Sequence, residues 1–206
     1  MFTGIVQSQE RVFSLKKSNE FYHLVIQGDK ALINGLSQGA SVAINGVCLT
    51  AVDFGELEKN QSFIAFDVID ETLRVTNLSA LDVGFMINIE RSLKAGDEIG
   101  GHMVSGHIHA QAALIDIKKT ETNCSLYFQC EQHWMKYVLA KGFIAINGTS
   151  LTVGVVEQNQ FSVNLIPETL QRTNLGTLQL GDKVNLEFDQ QTMTIVTTLE
   201  RMHNQA

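Results

Sequence analysis

A register shift of 102 residues lays the second half of the chain on the first. Ser41-Val42-Ala43-Ile44-Asn45-Gly46-Val47-Cys48-Leu49-Thr50 meets Phe143-Ile144-Ala145-Ile146-Asn147-Gly148-Thr149-Ser150-Leu151-Thr152, and six of the ten positions are identical. The same shift sets Thr3-Gly4-Ile5-Val6 on Ser105-Gly106-His107-Ile108. Further along, the shift falls to 97. Glu71-Thr72-Leu73 then meets Glu168-Thr169-Leu170, Thr76-Asn77-Leu78 meets Thr173-Asn174-Leu175, and Gly84 and Asn88-Ile89-Glu90 meet Gly181 and Asn185-Leu186-Glu187. Matching stretches in one order point to duplication. Two copies are too few for a solenoid, so the chain reads as two similar domains. Its 206 residues, 44% hydrophobic, suffice for two cores of about 100 residues each. The five-residue difference falls between Ala51 and Phe66, around Asp53-Phe54-Gly55-Glu56. That segment reads as a hairpin tip, where length varies freely.

Each unit reads as strand, strand, short helix, strand, hairpin, strand, turn, strand. Pro167 is the only proline against 16 glycines, so turns must come from Gly, Asn and Asp. Short runs of Val, Ile, Thr and Phe between them are strand-like. Asn45-Gly46 is a strong hairpin signal. Ser62 to Val68 suits a strand largely buried on both faces. Gln132 to Ala140 reads as helical, with Gly142 as its C-cap, and residues 30–38 take the same place in the first unit. About six strands per unit would close as a small antiparallel barrel without exposed edges. The boundary falls near Leu93-Lys94-Ala95-Gly96-Asp97, giving domains 1–97 and 98–189. In the tail, 190–206, Ile195, Val196, Leu199 and Met202 follow helical spacing. Such a helix needs a surface to bury against, either its own barrel or another subunit.

Composition removes several function classes. A net charge of −7 argues against a nucleic-acid backbone as partner. No apolar run approaches the roughly 20 residues that cross a bilayer. No basic stretch leads into an apolar one at the start, so no signal peptide is expected and the cytoplasm is the default compartment. Cys48, Cys124 and Cys130 are odd in number and not closely paired, which disfavours a disulfide framework or a cysteine zinc site. Gly100-Gly101 is a turn signal without dinucleotide-loop spacing.

The positions where the copies differ are the informative ones. Cys48 faces Ser150, Ser41 faces Phe143, Gly39 faces Lys141, Ile5 faces His107, Ser92 faces Asp189 and Asp70 faces Pro167. Structural duplication alone does not require a thiol, an imidazole, an ammonium and a carboxylate to be divided between copies. Two pockets holding one kind of molecule in different roles would. Each group also has an ordinary reading. Cys48 sits in an apolar run, where cysteine is commonly a small buried hydrophobe. His107 can be a surface histidine or a proton-transfer group. His102, His107 and His109 lack a carboxylate completing a metal set, so no metal is expected. Lys136 and Lys141 can be solvated helix-end cations. Thr50, Thr152, Thr72 and Thr169 recur in both copies, suited equally to ligand hydroxyls and to turn backbones.

Taken together, Met1-Phe2-Thr3-Gly4-Ile5-Val6, Asn45-Gly46-Val47-Cys48-Leu49-Thr50, Glu71 to Leu78, Gly100-Gly101-His102-Met103-Val104-Ser105-Gly106-His107, Lys141-Gly142-Phe143, Ser150 to Gly154 and Ile166-Pro167-Glu168-Thr169-Leu170 resemble the riboflavin synthase family, α-subunit type, along nearly the whole chain. The resemblance implies an all-β fold of two tandem six-stranded antiparallel Greek-key barrels with a short C-terminal α-helix. It implies a homotrimer whose active sites lie between subunits, with the tail helix at the trimer axis. It also implies the reaction: two molecules of 6,7-dimethyl-8-ribityllumazine dismutate by four-carbon transfer to riboflavin and 5-amino-6-ribitylaminouracil. No cofactor is implied.

Carried over by position, the first pocket would use Thr3, Gly4, Ile5, Val6, Ser41, Cys48, Leu49, Thr50, Asp67, Val68, Ile69, Asp70, Glu71 and Thr72. The second would use Gly106, His107, Ile108, Lys141, Ser150, Leu151, Thr152, Asn164, Leu165, Ile166, Pro167, Glu168, Thr169 and Asp189. Cys48, Ser41, His107 and Phe2 are the expected catalytic group, with Phe2 near the reacting rings. Ser79 stands where the family often has glycine, while the second copy keeps Gly176. The rival reading is a non-catalytic, fluorescent lumazine-binding antenna protein, which is expected to lose the asymmetric reactive set. A flavin-binding oxidoreductase module using a similar barrel would need a nicotinamide-binding domain or partner, and this chain has no room for such a domain.

Overall fold

The computed structural model describes residues 1–18, 21–121 and 123–205; residue 206, the last of the predicted tail, lies outside them. The first barrel is built from β1 (Ser8–Lys17), β2 (Phe21–Asp29), β3 (Ser41–Ile44), β4 (Val47–Glu56), β5 (Gln61–Ile69) and β6 (Met86–Arg91). The second is built from β7 (Ala110–Lys119), β8 (Cys124–Gln129), β9 (Phe143–Ile146), β10 (Thr149–Glu157), β11 (Gln160–Leu165) and β12 (Lys183–Phe188). Each closes on itself, in the order β1-β2-β5-β4-β3-β6 and in the matching order for the second copy. All pairings are antiparallel. Helices α1 (Asp70–Val75) and α2 (Pro167–Arg172) make the equivalent crossings from β5 to β6 and from β11 to β12, and α3 (Gln190–His203) ends the chain.

Alternation decides which side chains fill each barrel. Leu24, Ile26, Ile64, Phe66, Ile87 and Ile89 point into the first, and Phe128, Ile144, Phe161, Val163, Leu186 and Phe188 into the second. Burying each such side chain stabilises the fold by roughly 1.5–3 kcal/mol.

Local readings shift in three places. Asp53 to Glu56 is not a hairpin tip but part of β4, where the ring of Phe63 lies over Gly55. The tip is Leu57 to Asn60, with Lys59 and Asn60 in the left-handed region at φ 60° and 61°. The α-helix expected from Gln132 to Ala140 is a shorter 3-10 segment, Gln132–Tyr137. Its bonds close three residues apart, Trp134 N–H on the Glu131 carbonyl and Val138 N–H on the Met135 carbonyl, both at 3.0 Å. Lys141 takes the positive φ expected of Gly142, at 67°. Gly142 is needed for closeness instead, since a Cβ there would lie 3.0 Å from the Leu139 carbonyl oxygen. The Ser79 and Gly176 difference also has a local cause. A Cβ on Gly176 would lie 2.2 Å from the Leu170 carbonyl oxygen, whereas the Ser79 hydroxyl donates to the Thr76 carbonyl at 3.2 Å.

The two barrels meet through their β3–β4 and β9–β10 hairpins. Asn45-Gly46 and Asn147-Gly148 both turn at positive φ. A Cβ on Gly46 would fall 2.6 Å from the Gly148 nitrogen, so backbone lies on backbone there. Six asparagines seal this contact: Asn45, Asn77 and Asn88 with Asn147, Asn174 and Asn185. Asn45 Oδ1 accepts from Asn88 N and Asn174 Nδ2, both at 2.9 Å. Asn147 Oδ1 accepts from Asn185 N at 2.9 Å and Asn77 Nδ2 at 3.1 Å. Asn185 Nδ2 donates to the Asn45 carbonyl at 2.9 Å, and Asn88 Nδ2 to the Asn147 carbonyl at 2.9 Å.

Buried donors left unpaired cost about 1–3 kcal/mol each. Asn45→Ala strips the acceptor from two of them and is expected to lower unfolding free energy by about 2–4 kcal/mol. Urea unfolding checks this, and a loss below about 1 kcal/mol would show that the network does not hold the barrels together.

Candidate functional site

The segments before β1 and β7 are each clamped by a buried glutamate. Glu90 Oε1 accepts from Thr3 N at 2.6 Å and Thr3 Oγ1 at 2.8 Å, and its Oε2 accepts from Gly4 N at 3.0 Å. Glu187 repeats this with Ser105 N at 2.6 Å, Ser105 Oγ at 2.7 Å and Gly106 N at 2.9 Å. Burial pushes both carboxyls above the ordinary carboxylate value, and the donors pull them partly back.

These arms cross between barrels. Ser150 N donates to the Gly4 carbonyl at 2.7 Å, and Cys48 N donates to the Gly106 carbonyl at 2.9 Å. Gly4 and Gly106 have φ of 73° and 84°, and a Cβ would strike Ser150 Cβ at 2.6 Å and Cys48 Cβ at 2.5 Å. Only glycine permits that approach. The expected grouping is therefore corrected. Gly106, His107 and Ile108 join Cys48 at the first barrel, and Ile108 packs against its core. Thr3, Gly4 and Ile5 join Ser150 at the second. Phe2 and Val104 pair the two arms at 2.8 and 3.0 Å. Phe2 is 0% exposed, packed with Ala43, Val104 and Ala145 beneath Cys48. That makes it a support for Cys48 rather than a surface open to a ligand.

On the outer face of the first barrel, Ser41 on β3 pairs with Thr50 on β4, and Ala43 with Cys48. Continuing the Ala51–Phe66 register by one residue sets Thr50 across from Asp67 on β5. Ser41, Thr50, Asp67 and half-buried Cys48 thus share one face with the His107 arm. Ser92 Oγ donates to the Ser41 carbonyl at 2.7 Å.

On the second barrel, Thr152 pairs with Phe143 and Ser150 with Ala145, and Asn164 lies along the same face. Lys141 donates its backbone N–H to Val153 at 2.9 Å, as Gly39 does to Ala51. It holds a left-handed φ that its first-copy counterpart meets without a side chain, strain of the kind stored at functional positions. Asp189 caps α3, accepting from Thr192 N at 2.7 Å.

His102, which no metal set claims, stands against the second barrel's outer face. Its Nδ1 lies 2.6 Å from Ser150 Oγ, its backbone N–H donates to the Thr3 carbonyl at 3.1 Å, and its ring stacks on Phe143 at 5.0 Å. Burial lowers its pKa, with Asp189 opposing. Gly100-Gly101 was the signal. A Cβ on Gly101 would sit 2.3 Å from the Thr3 carbonyl oxygen, so glycine there lets the chain pass close against the first arm just before His102.

The remaining candidates divide by strand alternation. Leu49 and Val68 point into the first core, Leu151 and Leu165 into the second, and Val6 is also buried. The strand residues Leu49, Val68, Leu151 and Leu165 face the cores, and Val6 is buried ahead of β1. Ile69 and Ile166 are exposed just before α1 and α2. Asp70 and Pro167 open those helices. Glu71 is engaged by Arg74 and Glu168 by Arg172. The Thr72 and Thr169 carbonyls accept from the Thr76 and Thr173 hydroxyls, both at 2.7 Å.

The fold and the site define a duplicated small-molecule binder: two matched polar faces, each completed by the other unit's arm. A family model described as lumazine binding domain matches residues 3–92 and 105–189, and the chain belongs to that family. It is 46% identical over 203 residues to riboflavin synthase of Escherichia coli (strain K12), covering 98% of this chain and 93% of that protein. It is 41% identical over 202 residues to riboflavin synthase of Chlamydia pneumoniae, covering 98% and 96%. Among solved structures it resembles LumP complexed with 6,7-dimethyl-8-(1'-D-ribityl) lumazine, at 25% identity and a TM-score of 0.79 over 92% of this chain and 99% of that one. It likewise resembles LumP complexed with riboflavin, at 27% identity and a TM-score of 0.80, over 92% of this chain and 100% of that one.

One buried and one half-buried imidazole set an acid limit on stability. His102 and His109 both have pKa values lowered below the ordinary 6.5 by burial. In this window the unfolded chain binds more protons than the folded one, so their contribution is complete above about pH 6.5 and is lost as pH falls toward their folded values. The raised carboxyls of Glu90 and Glu187 act oppositely, favouring the fold below their ordinary range and losing that as pH rises. The urea midpoint is expected to drop between about pH 7.5 and pH 5.5, and to drop less in His102→Asn. An equal drop in the variant would remove His102 as a source.

Proposed function

We propose that the chain is an enzyme of the riboflavin synthase type, converting two molecules of 6,7-dimethyl-8-ribityllumazine to riboflavin and 5-amino-6-ribitylaminouracil. The observation that carries this is the unequal pair of matched sites. Crossing of the arms brings His107 to Cys48, Ser41, Thr50 and Asp67 at the first barrel. It brings Ile5 to the face of Ser150, His102, Lys141, Thr152, Asn164 and Asp189 at the second. One compound held on two differently equipped faces can act as donor on one and acceptor on the other. Donor and acceptor are two molecules of one compound, so the four-carbon unit lost by one is gained by the other and no cofactor enters.

Holding two rings in contact geometry supplies much of the acceleration by orientation. Proton movement at the C7 methyl falls to His107, which is exposed beside Cys48, or to a neighbouring hydroxyl. The lumazine-binding antenna is the rival. Its outcome is tight binding without turnover.

We also take 1–97 and 98–189 as the two binding units and 190–206 as an assembly helix. One face of α3 docks on its own barrel. Met193 and Val196 pack on the second core, Lys136 Nζ meets Glu200 at 2.6 Å and the Tyr137 hydroxyl meets Thr197 at 3.1 Å. This turns Val196 away from the stripe of Ile195, Leu199 and Met202, which are 60, 60 and 64% exposed. That stripe suits a homotrimer with active sites between subunits. No helix among the described residues is long and apolar enough to cross a membrane, and a cytoplasmic location belongs to the same reading.

Incubated with the lumazine alone, the protein is expected to form one riboflavin for every two lumazines consumed. His107→Ala is expected to lower kcat about 100-fold and Cys48→Ala to lower turnover clearly. Wild-type turnover in either variant removes that residue from the reaction, and lumazine bound but not consumed by the unsubstituted protein would establish the antenna. In sedimentation, the double change Ile195→Asp with Leu199→Asp is expected to turn a trimer into monomers. A trimer that survives it would show that α3 is not the assembly surface.

A further inference from the structure

Asp67 has a partner that neither the repeat nor the family resemblance singled out. The β2–β5 register sets His23 directly across from Asp67. Residues paired in this way share a face, and the Nδ1 of His23 lies 2.7 Å from Asp67 Oδ1. The row runs on through Thr50 to Ser41, so His23 extends the candidate contacts by one strand. In the second barrel the same construction carries different chemistry. Asn164 pairs with Ser125, whose hydroxyl donates to Asn164 Oδ1 at 2.6 Å, with Asn123 Nδ2 at 3.5 Å from the same oxygen. One copy presents an acid–base pair where the other presents a neutral one.

The His23 and Asp67 side chains are 37% and 45% exposed. Ion pairs so open to water add little to stability, so support of the fold is a poor reason for this one. Its effect is on conformation. An unpartnered surface aspartate loses rotamer freedom when it binds a ligand, and a cross-strand hydrogen bond removes that cost in advance.

We propose that His23 is a positioning residue of the first lumazine site. It donates from Nδ1 to Asp67 Oδ1 and thereby aims Oδ2 to accept a hydrogen bond from a ribityl hydroxyl. The proposal rests on reading this face as a lumazine pocket. The ribityl hydroxyls take no part in the bonds that change, so the interaction is equal in ground and transition states and its loss falls on KM rather than kcat.

The full-length protein and its variants are compared in steady-state turnover of 6,7-dimethyl-8-ribityllumazine, which needs both sites filled, and in direct lumazine binding. His23→Ala is expected to raise KM about 10-fold with a far smaller change in kcat. His23→Asn, whose amide N–H can reach the same oxygen, is expected to recover most of that loss. On an Asp67→Ala background, His23→Ala is expected to add nothing. An unchanged KM in His23→Ala, no recovery by asparagine, or full additivity with Asp67→Ala would each overturn the proposal. If the unsubstituted protein binds lumazine but forms no riboflavin, the functional reading fails instead, and the Kd of His23→Ala then decides the role of His23.

Discussion

The contact of Gly46 on Gly148, ringed by six asparagines, fixes everything else about the site. A buried amide is costly unless each donor and acceptor is met. Here the side chains of one barrel satisfy the backbone of the other, as when Asn185 donates to the Asn45 carbonyl. An apolar interface would slide with little penalty. This one has a single register, because displacement by one residue leaves several polar groups unpaired at once. The barrels are thereby held so that the arm of each reaches the other.

That reach is what makes two sites from a repeated unit. Gly4 lies against Ser150 and Gly106 against Cys48, while Glu90 and Glu187 clamp the arms from behind with three hydrogen bonds each. Each outer face is therefore a composite of both copies. Without crossing, Cys48 would sit beside Ile5, and His107 beside Ser150. With crossing, thiol and imidazole share a face, and Ile5 joins His102, Lys141 and Asp189 at the second. A rearrangement of backbone, not of sequence, sorts the reactive groups.

Much of this was legible in the residues and some was not. The duplication, the Asn-Gly hairpins and the barrel class follow from local patterns, because glycine and asparagine at fixed offsets encode positive φ directly. Alternation was also readable. It could have separated Leu49, Val68, Leu151 and Leu165, which face the cores, from Thr50 and Asp67, which do not. Crossing of the arms was not readable, since Gly4 and Gly106 match each other and either assignment satisfies the repeat. The roles of Asn77, Asn88, Asn174 and Asn185 were hidden for the same reason: identity between copies looked like inheritance of a pocket when it reflects a shared interface. The 3-10 segment at Gln132–Tyr137 escaped because so short a stretch holds too few apolar positions to tell a period of about 3.0 from one of about 3.6.

The division between like and unlike positions can now be drawn physically. Positions that are identical in the copies, Asn45 with Asn147 or Glu90 with Glu187, work at the junction, where matched geometry demands the same side chain twice. Positions that differ lie on the outer faces, and where the other copy reaches them, at Cys48 and Ser150, it does so through the backbone of Gly106 and Gly4, which leaves the side chains free to differ. His23 with Asp67 against Ser125 with Asn164 follows this rule at a distance from both arms, as does Lys141 against Gly39. A duplicated fold can diversify wherever contact with the other copy leaves a side chain its freedom, and here those are the outer faces that treat one substrate in two ways.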